Sequence, residues 1–330
     1  MIANETKLDR YGARGILGTI GETPLVKMER LFPESTLEFY AKLECFNPGG
    51  SAKDRPATAM IEAALKEGII SKHSTIVESS SGNMGIGLAQ ACRYYGLKFI
   101  CVVDPHAQQQ NIAIIKAYGG EIVLVDNPEN GDYLTARLST VKKLIAEHRD
   151  YYWPNQYSNL NNPRSHYRGT IRELDKALRG DIDFLFVATS STGTARGCRD
   201  YLREKRRKTQ VVAVDAVGSI LFGGKAGTRK IPGLGAGVIS DLAQGQEFDR
   251  VVRVSDLDCV RGCRRVARRE AVLVGGSAGG IVEAVSRLGN ELEGKKCAAI
   301  FHDSGKRYLD TIFNDEWVKS ELGVSNPEAL

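Results

Sequence analysis

The sequence lacks the signatures of a membrane-spanning or exported protein. No uninterrupted apolar run in its 330 residues approaches the ~20 residues that a spanning helix needs. The charged opening MIANETKLDRYG has no apolar segment of the kind found in signal peptides. Seven cysteines without a Cys-x-x-Cys pair favour reduced thiols over a disulfide framework. We therefore expect a cytoplasmic protein with no membrane contact.

A strong charge of one sign is also missing. Lys and Arg number 45 and Asp and Glu number 40, so the net charge is +5 and is spread along the chain. That excess is too small and too dispersed to indicate nucleic-acid binding. The densest basic stretch, REKRRK at 203–208, is typical of the solvated C-terminal end of a helix. We expect no nucleic acid among the partners.

Several common catalytic motifs are absent as well. There is no phosphate-binding G-x-x-x-x-G-K-[ST] segment and no H-E-x-x-H pair. The glycines at 233–237 lack the preceding apolar strand that a dinucleotide-binding turn requires. Cys259 and Cys263 lie one helical turn apart, but no second pair supports a metal site, and we predict none. Of the five histidines, only His302, at the end of a predicted strand, is a candidate functional residue.

What the sequence does contain is an alternation of short apolar runs and helical patterns. The helical patterns at 55–67, 85–95 and 108–118 each end at a glycine, as helix C-termini commonly do. This alternation predicts an α/β protein with mostly parallel, twisted sheets flanked by helices, and the length favours two domains. The predicted strands are 37–44, 74–79, 98–104, 121–126, 183–189, 211–216 and 297–303.

Four loops rich in glycine and hydroxyl residues interrupt this pattern. In open parallel sheets, ligands bind beyond the carboxyl ends of the strands, where loops enter helices. The second and third loops could bind anions through hydroxyls and free backbone N–H groups, although such turns are also common helix N-caps. The loops are NPGGSAKDRP at 47–56, ESSSGNMG at 78–85, TSSTGTARG at 189–197 and VGGSAGG at 274–280.

Lys53 stands where the first of these loops becomes a helix. A lysine at this place could be a solvated charge at the helix start, a clamp for a phosphate, or a nucleophilic amine. The residues around it leave all three interpretations open.

The four loops together resemble those of the fold-type II pyridoxal-phosphate enzymes, the family of cysteine synthase and cystathionine β-synthase. The resemblance extends from GETPLVKMERLFP at 21–33 to SGKRYLDTIFNDEW at 304–317, with the loops in the same order and spacing. It implies a tryptophan synthase β-like architecture, with a smaller mobile domain at 46–155 and a larger cofactor-binding domain from 1–45 and 156–330. It also implies pyridoxal 5'-phosphate as cofactor and a homodimer.

The resemblance implies a role for each loop. Lys53 would hold the cofactor as a Schiff base and move the Cα proton, while Asp54 and Arg55 would be structural. Asn83 would hydrogen-bond the cofactor's ring hydroxyl, and Ser277 would face its pyridine nitrogen. The phosphate would be held by Ser190, Ser191, Thr192, Gly193 and Thr194, and the substrate carboxylate by Ser80, Ser81, Gly82 and Gln156.

The chemistry follows from the residue opposite the ring nitrogen. A hydroxyl there leaves the pyridine mostly neutral, which makes it a weaker electron sink than a carboxylate partner would. A weaker sink favours prompt loss of a β-substituent, so the resemblance implies a β-replacement transferase with an aminoacrylate intermediate. Three positions depart from the family: Ser190 and Thr192 replace common glycines, and Ile171 replaces a small residue.

Three features resemble a narrower group, the enzymes that make N-(2-amino-2-carboxyethyl)-L-glutamate from O-phospho-L-serine and L-glutamate. These features are Asp104, Arg137 and the segment 214–224 with the KIPGLGAG that follows it at 230–237. The product would serve 2,3-diaminopropionate synthesis for siderophores or peptide antibiotics. Arg137 would contact an anionic group of the substrate, with Tyr157 and Ser190 as polar neighbours.

Other activities remain open at this stage. Within the family, the alternatives are cysteine synthase, acting on O-acetylserine or O-phosphoserine with sulfide, and cystathionine β-synthase, acting with homocysteine. From another class, the chain could be a non-catalytic protein that binds an amino acid or a partner on the same fold. The presence of Lys53 argues against that last alternative.

Overall fold

A computed structural model of the protein describes residues 13, 15–126, 128 and 131–330, and the structural statements below concern those residues. The opening stretch, on which the expectation of no signal peptide depends, lies outside them. The described residues form ten strands. They are β1 (Leu25–Lys27), β2 (Glu38–Leu43), β3 (Thr75–Glu78), β4 (Lys98–Val103), β5 (Glu121–Leu124), β6 (Tyr151–Tyr152), β7 (Phe184–Ala188), β8 (Gln210–Ala216), β9 (Arg250–Val254) and β10 (Lys296–Phe301).

The described helices alternate with these strands, as the sequence pattern predicts. The predicted helices at 55–67, 85–95 and 108–118 are confirmed, with ends that shift by at most two residues. Gly96 ends the second of them with a φ of +71°, a left-handed conformation that favours glycine. The helices are α1 (Asp54–Lys66), α2 (Asn83–Tyr95), α3 (Gln109–Ala117), α4 (Tyr133–Glu147), α5 (Asn161–Arg168), α6 (Thr170–Ala177), α7 (Gly193–Glu204), α8 (Asp256–Glu270), α9 (Gly276–Leu288) and α10 (Asp315–Leu322).

The strands form two sheets, which confirms the predicted α/β class. The larger sheet has the order β1-β2-β10-β7-β8-β9, and the smaller has the order β5-β4-β3-β6. Only the pairing of β1 with β2 is antiparallel among the described strands. The strands of the smaller sheet lie within the segment 46–155, whose domain boundaries stay a prediction.

Three strands were not predicted from the sequence, and each omission has a physical reason. β1 and β6 have three and two residues, which is too short for an alternation to be visible. β9 reads RVVRV and is mostly half-buried because it lies at the edge of its sheet. By contrast, all five residues of β7 are buried, and its apolar run stands out in the sequence.

Close packing of α8 against α9 fixes the helix that carries Ser277. A Cβ atom at Gly262 would lie 2.0 Å from the carbonyl oxygen of Gly279, so the two backbones approach as only glycine allows. Cys259 and Cys263 are buried in this contact. Within the described residues, no group of three His, Cys, Asp or Glu side chains could hold a metal ion.

A buried ion network joins the start of α1 to the larger sheet. The Arg55 guanidinium contacts Glu44, just after β2, at 2.7 Å and Glu173, on α6, also at 2.7 Å. Lys42 approaches the second Glu173 oxygen at 2.6 Å. Burial tends to raise the pKa of Glu173, but the hydrogen bonds and charges of Arg55 and Lys42 outweigh it and hold that pKa at about 2. Arg55 is therefore paired with two carboxylates inside the fold.

None of the described helices combines the length and the apolar character that crossing a bilayer requires.

Replacing Arg55 with methionine removes the positive charge from this network. Glu44 is fully buried, so the variant leaves uncompensated negative charge in the interior. We expect the free energy of unfolding to fall by about 3–5 kcal/mol, measured by urea denaturation. The matched control is Lys27→Met, which breaks an exposed ion pair with Glu38 and should change stability far less. Equal losses in the two variants would contradict the structural role of Arg55.

Candidate active site

The four loops singled out in the sequence meet at one cavity. Its lining includes Lys53, Asn83, the loop at 190–194 and Ser277. Two of these groups lie just beyond strands of the sheets, since the loop follows β7 and Asn83 begins the helix after β3. The structure therefore brings together the residues predicted to hold the cofactor, although their individual roles stay predictions.

Lys53 occupies the position just before α1. Its side chain is surrounded by protein atoms but opens on the cavity, so it is half-buried. Burial lowers the pKa of Lys53 to about 8, against the opposing negative charge of Asp303. A substantial fraction of this amine is therefore neutral in mildly alkaline solution, as a nucleophilic lysine requires. The solvated-charge interpretation of Lys53 does not fit this environment.

The loop at 190–194 enters the 12-residue helix α7, whose free N–H groups favour an anion. Thr192 has a φ of +65°, in the left-handed region where the related loops commonly have glycine. A Cβ atom at Gly193 would lie 2.1 Å from Asn162 Oδ1, so only glycine fits there. Thr194 Oγ1 lies 3.2 Å from the buried His166 Nε2. The backbone shape and the helix start together form a binding site suited to a phosphate.

Two side chains of the cavity carry buried polar atoms that lack a partner within the described structure. They are Thr192, through Oγ1, and His302, through both ring nitrogens. Burial, followed by the charge of Lys53, lowers the pKa of His302 to about 4, so its imidazole is neutral. An unsatisfied buried polar group costs about 1–3 kcal/mol, so these atoms are suited to a polar ligand. With the Lys53 amine and the anion-binding loop, they fit pyridoxal phosphate.

Asp303 and Tyr308 also line the cavity, although no motif in the sequence pointed to them. Asp303 Oδ2 accepts hydrogen bonds of 2.7 Å from both Asn83 Nδ2 and the Tyr308 hydroxyl. Burial raises the pKa of Asp303, while these two hydrogen bonds and the charges of Arg307 and Lys53 oppose the shift. These two residues could have been predicted from their place after β10, because ligands bind at the carboxyl ends of central strands.

The residues predicted to hold the substrate carboxylate lie beside the cavity. Ser80, Ser81 and Gly82 form the half-buried turn between β3 and Asn83. Gln156 is buried, and its backbone N–H donates to Glu78 at 3.3 Å. None of the four is among the described residues that line the cavity itself, so this role stays a prediction.

Arg137 and Tyr157 likewise lie outside the lining that the described residues form. Arg137 Nε is 3.2 Å from the Asp104 carboxylate. Two features that set this sequence apart, Asp104 and Arg137, are thus one ion pair. Tyr157 is half-buried, and its backbone carbonyl accepts the N–H of Leu242 at 3.1 Å. Ile171, the other departure, is fully buried in the core on α6.

The fold and this site define a pyridoxal-phosphate-dependent enzyme of fold type II. Residues 16–303 match the family described as pyridoxal-phosphate dependent enzyme, and the chain belongs to that family. The predicted cofactor, the enzyme class and the relation to the cysteine synthase and cystathionine β-synthase group are therefore confirmed. This assignment to a family does not depend on which substrates the chain uses.

Solved structures of similar proteins agree with this assignment. A hydrogen sulfide-producing enzyme from Fusobacterium nucleatum is 34% identical, with a TM-score of 0.84, 90% of this chain covered and 100% of that one. An O-acetylserine dependent cystathionine beta-synthase from Helicobacter pylori is 31% identical, with a TM-score of 0.81 and coverage of 90% and 97%. O-acetyl serine sulfhydrylase isoform 3 from Entamoeba histolytica is 29% identical, with a TM-score of 0.85 and coverage of 97% and 98%.

Replacing Lys53 with alanine should abolish the covalent attachment of the cofactor. After borohydride reduction of the wild-type enzyme, we expect mass spectrometry to find one cofactor on the peptide that contains Lys53. The variant should carry none, while Lys66→Ala, at the exposed end of the same helix, should label as the wild type does. A reduced cofactor on a different lysine would show that Lys53 is not the attachment site.

The lowered pKa of Lys53 predicts how attachment depends on pH. Only the neutral amine attacks a carbonyl, and its fraction rises as the pH rises through the pKa. The rate at which the apoenzyme forms the covalent bond, followed by stopped-flow absorbance, should therefore reach half its maximum near pH 8. A midpoint at the ordinary lysine pKa of 10.5 would mean that burial does not act on this amine.

Proposed function

We propose that the enzyme catalyses β-replacement on O-phospho-L-serine with L-glutamate as the amine nucleophile. The products would be N-(2-amino-2-carboxyethyl)-L-glutamate and phosphate, and the pathway would be 2,3-diaminopropionate synthesis for a siderophore or a peptide antibiotic. The observation that carries this proposal is the contact between Asp104 and Arg137.

Asp104 holds Arg137 by one side of its guanidinium. The Nε group lies 3.2 Å from Asp104 Oδ2 and also donates to the Tyr133 carbonyl at 3.4 Å. Both terminal nitrogens of Arg137 are left without a hydrogen-bond partner in the part of the chain that the structure describes. A guanidinium held in this way can bind a carboxylate or a phosphate with two parallel hydrogen bonds. The ion pair with Asp104 therefore orients Arg137 and leaves its terminal nitrogens available for an anion.

Tyr157 adds a polar group near this cation. Burial and the charge of Glu78 raise the pKa of Tyr157, and the positive charges of Arg137 and Arg229 oppose that shift. The phenol therefore stays protonated and able to donate a hydrogen bond. Glutamate brings two carboxylates and phosphoserine brings a phosphate, whereas sulfide and acetylserine bring less negative charge. The positive charges of Arg137 and Arg229 near Tyr157 favour the more anionic pair.

The residues of the cavity support the chemistry of this reaction. Pyridoxal phosphate, when bound, supplies an electron sink for breaking the Cα–H bond and expelling the β-substituent. Lys53, as a neutral amine, accepts the Cα proton and later returns it. The loop at 190–194 would hold the phosphate of the cofactor, and Ser277 would offer a hydroxyl to its ring nitrogen. The segment 46–155, predicted to be mobile, would exclude water during the reaction.

A second candidate function is the synthesis of cysteine or cystathionine from an activated serine. What favours it is the similarity to solved enzymes named for hydrogen sulfide production, O-acetylserine-dependent cystathionine synthesis and O-acetylserine sulfhydrylation. At 29–34% identity, the substrates of these enzymes carry over to this chain only as a proposal.

Product analysis separates the two candidates. With phosphoserine and glutamate, we expect mass spectrometry to find the glutamate adduct and one phosphate per turnover. With acetylserine and sulfide, we expect little or no cysteine. Cysteine as the sole product across all donor and nucleophile combinations would rule out the first candidate in favour of the second.

Arg137→Gln tests the anion site within the same assay. Losing a hydrogen bond to a charged group should raise the KM for phosphoserine or glutamate roughly 10-fold to 100-fold. The control Lys142→Gln removes an exposed charge from the same helix and should leave both KM values unchanged. If both variants behave like the wild type, Arg137 does not contact the substrate.

A further inference from the structure

Arg307 and Asp303 hold the side-chain amide of Asn83 from both ends. Arg307 Nη1 donates to Asn83 Oδ1, and Arg307 Nη2 donates to the carbonyl oxygen of Gly49. At the other end of the amide, Asn83 Nδ2 donates to Asp303 Oδ2 at 2.7 Å. The Tyr308 hydroxyl donates to the same carboxylate oxygen, also at 2.7 Å. Both ends of the Asn83 side chain therefore meet a charged partner.

These partners allow only one orientation of the amide. A guanidinium has only donors, and an ionised carboxylate has only acceptors. Turning the Asn83 amide by half a rotation would place its NH2 group against Arg307 and its oxygen against Asp303. Two charge-assisted hydrogen bonds would be lost, and these are about twice as strong as neutral ones. The amide oxygen of Asn83 therefore faces Arg307.

The orientation decides what Asn83 can offer to a ligand in the cavity that it lines. The Nδ2 group carries two hydrogens, and Asp303 accepts one of them. The second is free to donate. We propose that Arg307 and Asp303 are positioning residues that fix Asn83 as a hydrogen-bond donor toward an oxygen of the bound pyridoxal phosphate ring. The proposal rests on the cofactor and is independent of which nucleophile the enzyme uses.

The surrounding backbone leaves space for both charged groups. A Cβ atom at Gly50, whose φ is +86°, would lie 2.7 Å from Arg307 Nη2. A Cβ atom at Gly275 would lie 1.9 Å from Asp303 Oδ1. A side chain at either glycine would displace one of the two partners of Asn83. These close approaches indicate a built arrangement rather than a chance surface contact.

The same contacts connect the two sheets. Asn83 begins α2, which follows β3 of the smaller sheet, whereas Asp303 and Arg307 follow β10 of the larger sheet. Gly49 precedes α1 and Lys53. Arg307 therefore links the start of α2 to the loop that leads to Lys53, and it holds both next to the larger sheet.

The test compares Arg307→Met, Asn83→Ala and the double variant in cofactor binding, without any substrate. The Kd for pyridoxal phosphate is measured by spectral titration of each apoenzyme, together with the absorption maximum of the bound cofactor. We expect Arg307→Met to weaken binding roughly 10-fold and to shift the absorption maximum in the same direction as Asn83→Ala. The control Lys306→Met, an exposed charge next to Arg307, should leave both readouts unchanged.

The double variant separates positioning from general destabilisation. If Arg307 acts through Asn83, the double variant should bind no more than about 2-fold more weakly than Asn83→Ala alone. The proposal would be overturned if the losses in affinity of the two single variants were additive in the double variant. It would also be overturned if Arg307→Met had the same Kd and absorption maximum as Lys306→Met. If Arg307→Met does not fold, Arg307→Lys decides: lysine keeps the charge but lacks the planar fork whose two separate nitrogens reach Asn83 and Gly49. We expect an intermediate Kd for that variant, and a wild-type value would overturn the proposal.

Discussion

The buried guanidinium of Arg55 is the interaction on which the geometry of the site depends. It lies two residues after Lys53, and its partners are Glu44, just after β2 of the larger sheet, and Glu173 on α6. Buried ion pairs add little net stability compared with apolar packing, so the main effect of this network is on position. It fixes the first turn of α1 and therefore the place from which Lys53 reaches the cavity. Residues that bind a ligand elsewhere in the cavity are useful only because this lysine has a defined position.

Charge is distributed unevenly around the site, and this organises its chemistry. Near Lys53, burial lowers the pKa of the amine against the opposing charge of Asp303, so that the amine loses its proton easily. Outside the lining of the cavity, Asp104 neutralises part of the charge of Arg137 but occupies only its Nε side. The first region favours proton transfer and the second favours binding of anions. The proposed reaction, which joins an anionic amino acid to a phosphorylated one, would need both.

Much of the site could be predicted from the sequence, because its residues follow strands or begin helices. Lys53, Asn83, Ser277 and the loop at 190–194 each stand at such a junction, and parallel strands bring their carboxyl ends to one edge. The partners of Asn83 could not be predicted in this way. Its contacts with Asp303 and Arg307 join positions more than 200 residues apart, 220 and 224 in sequence separation, and no local pattern encodes them. β9 was missed because an edge strand needs little apolar character.

Thr192 stands in the left-handed region, where a residue with a Cβ atom is roughly 1–2 kcal/mol less favourable than in right-handed backbone. Threonine also has fewer conformations than glycine in the unfolded chain, so it loses less entropy when the loop folds. A loop with threonine at this position is therefore stiffer than its glycine-rich counterparts. Since ordering a flexible loop reduces affinity, this stiffness would let a phosphate bind at the loop with a smaller loss of entropy.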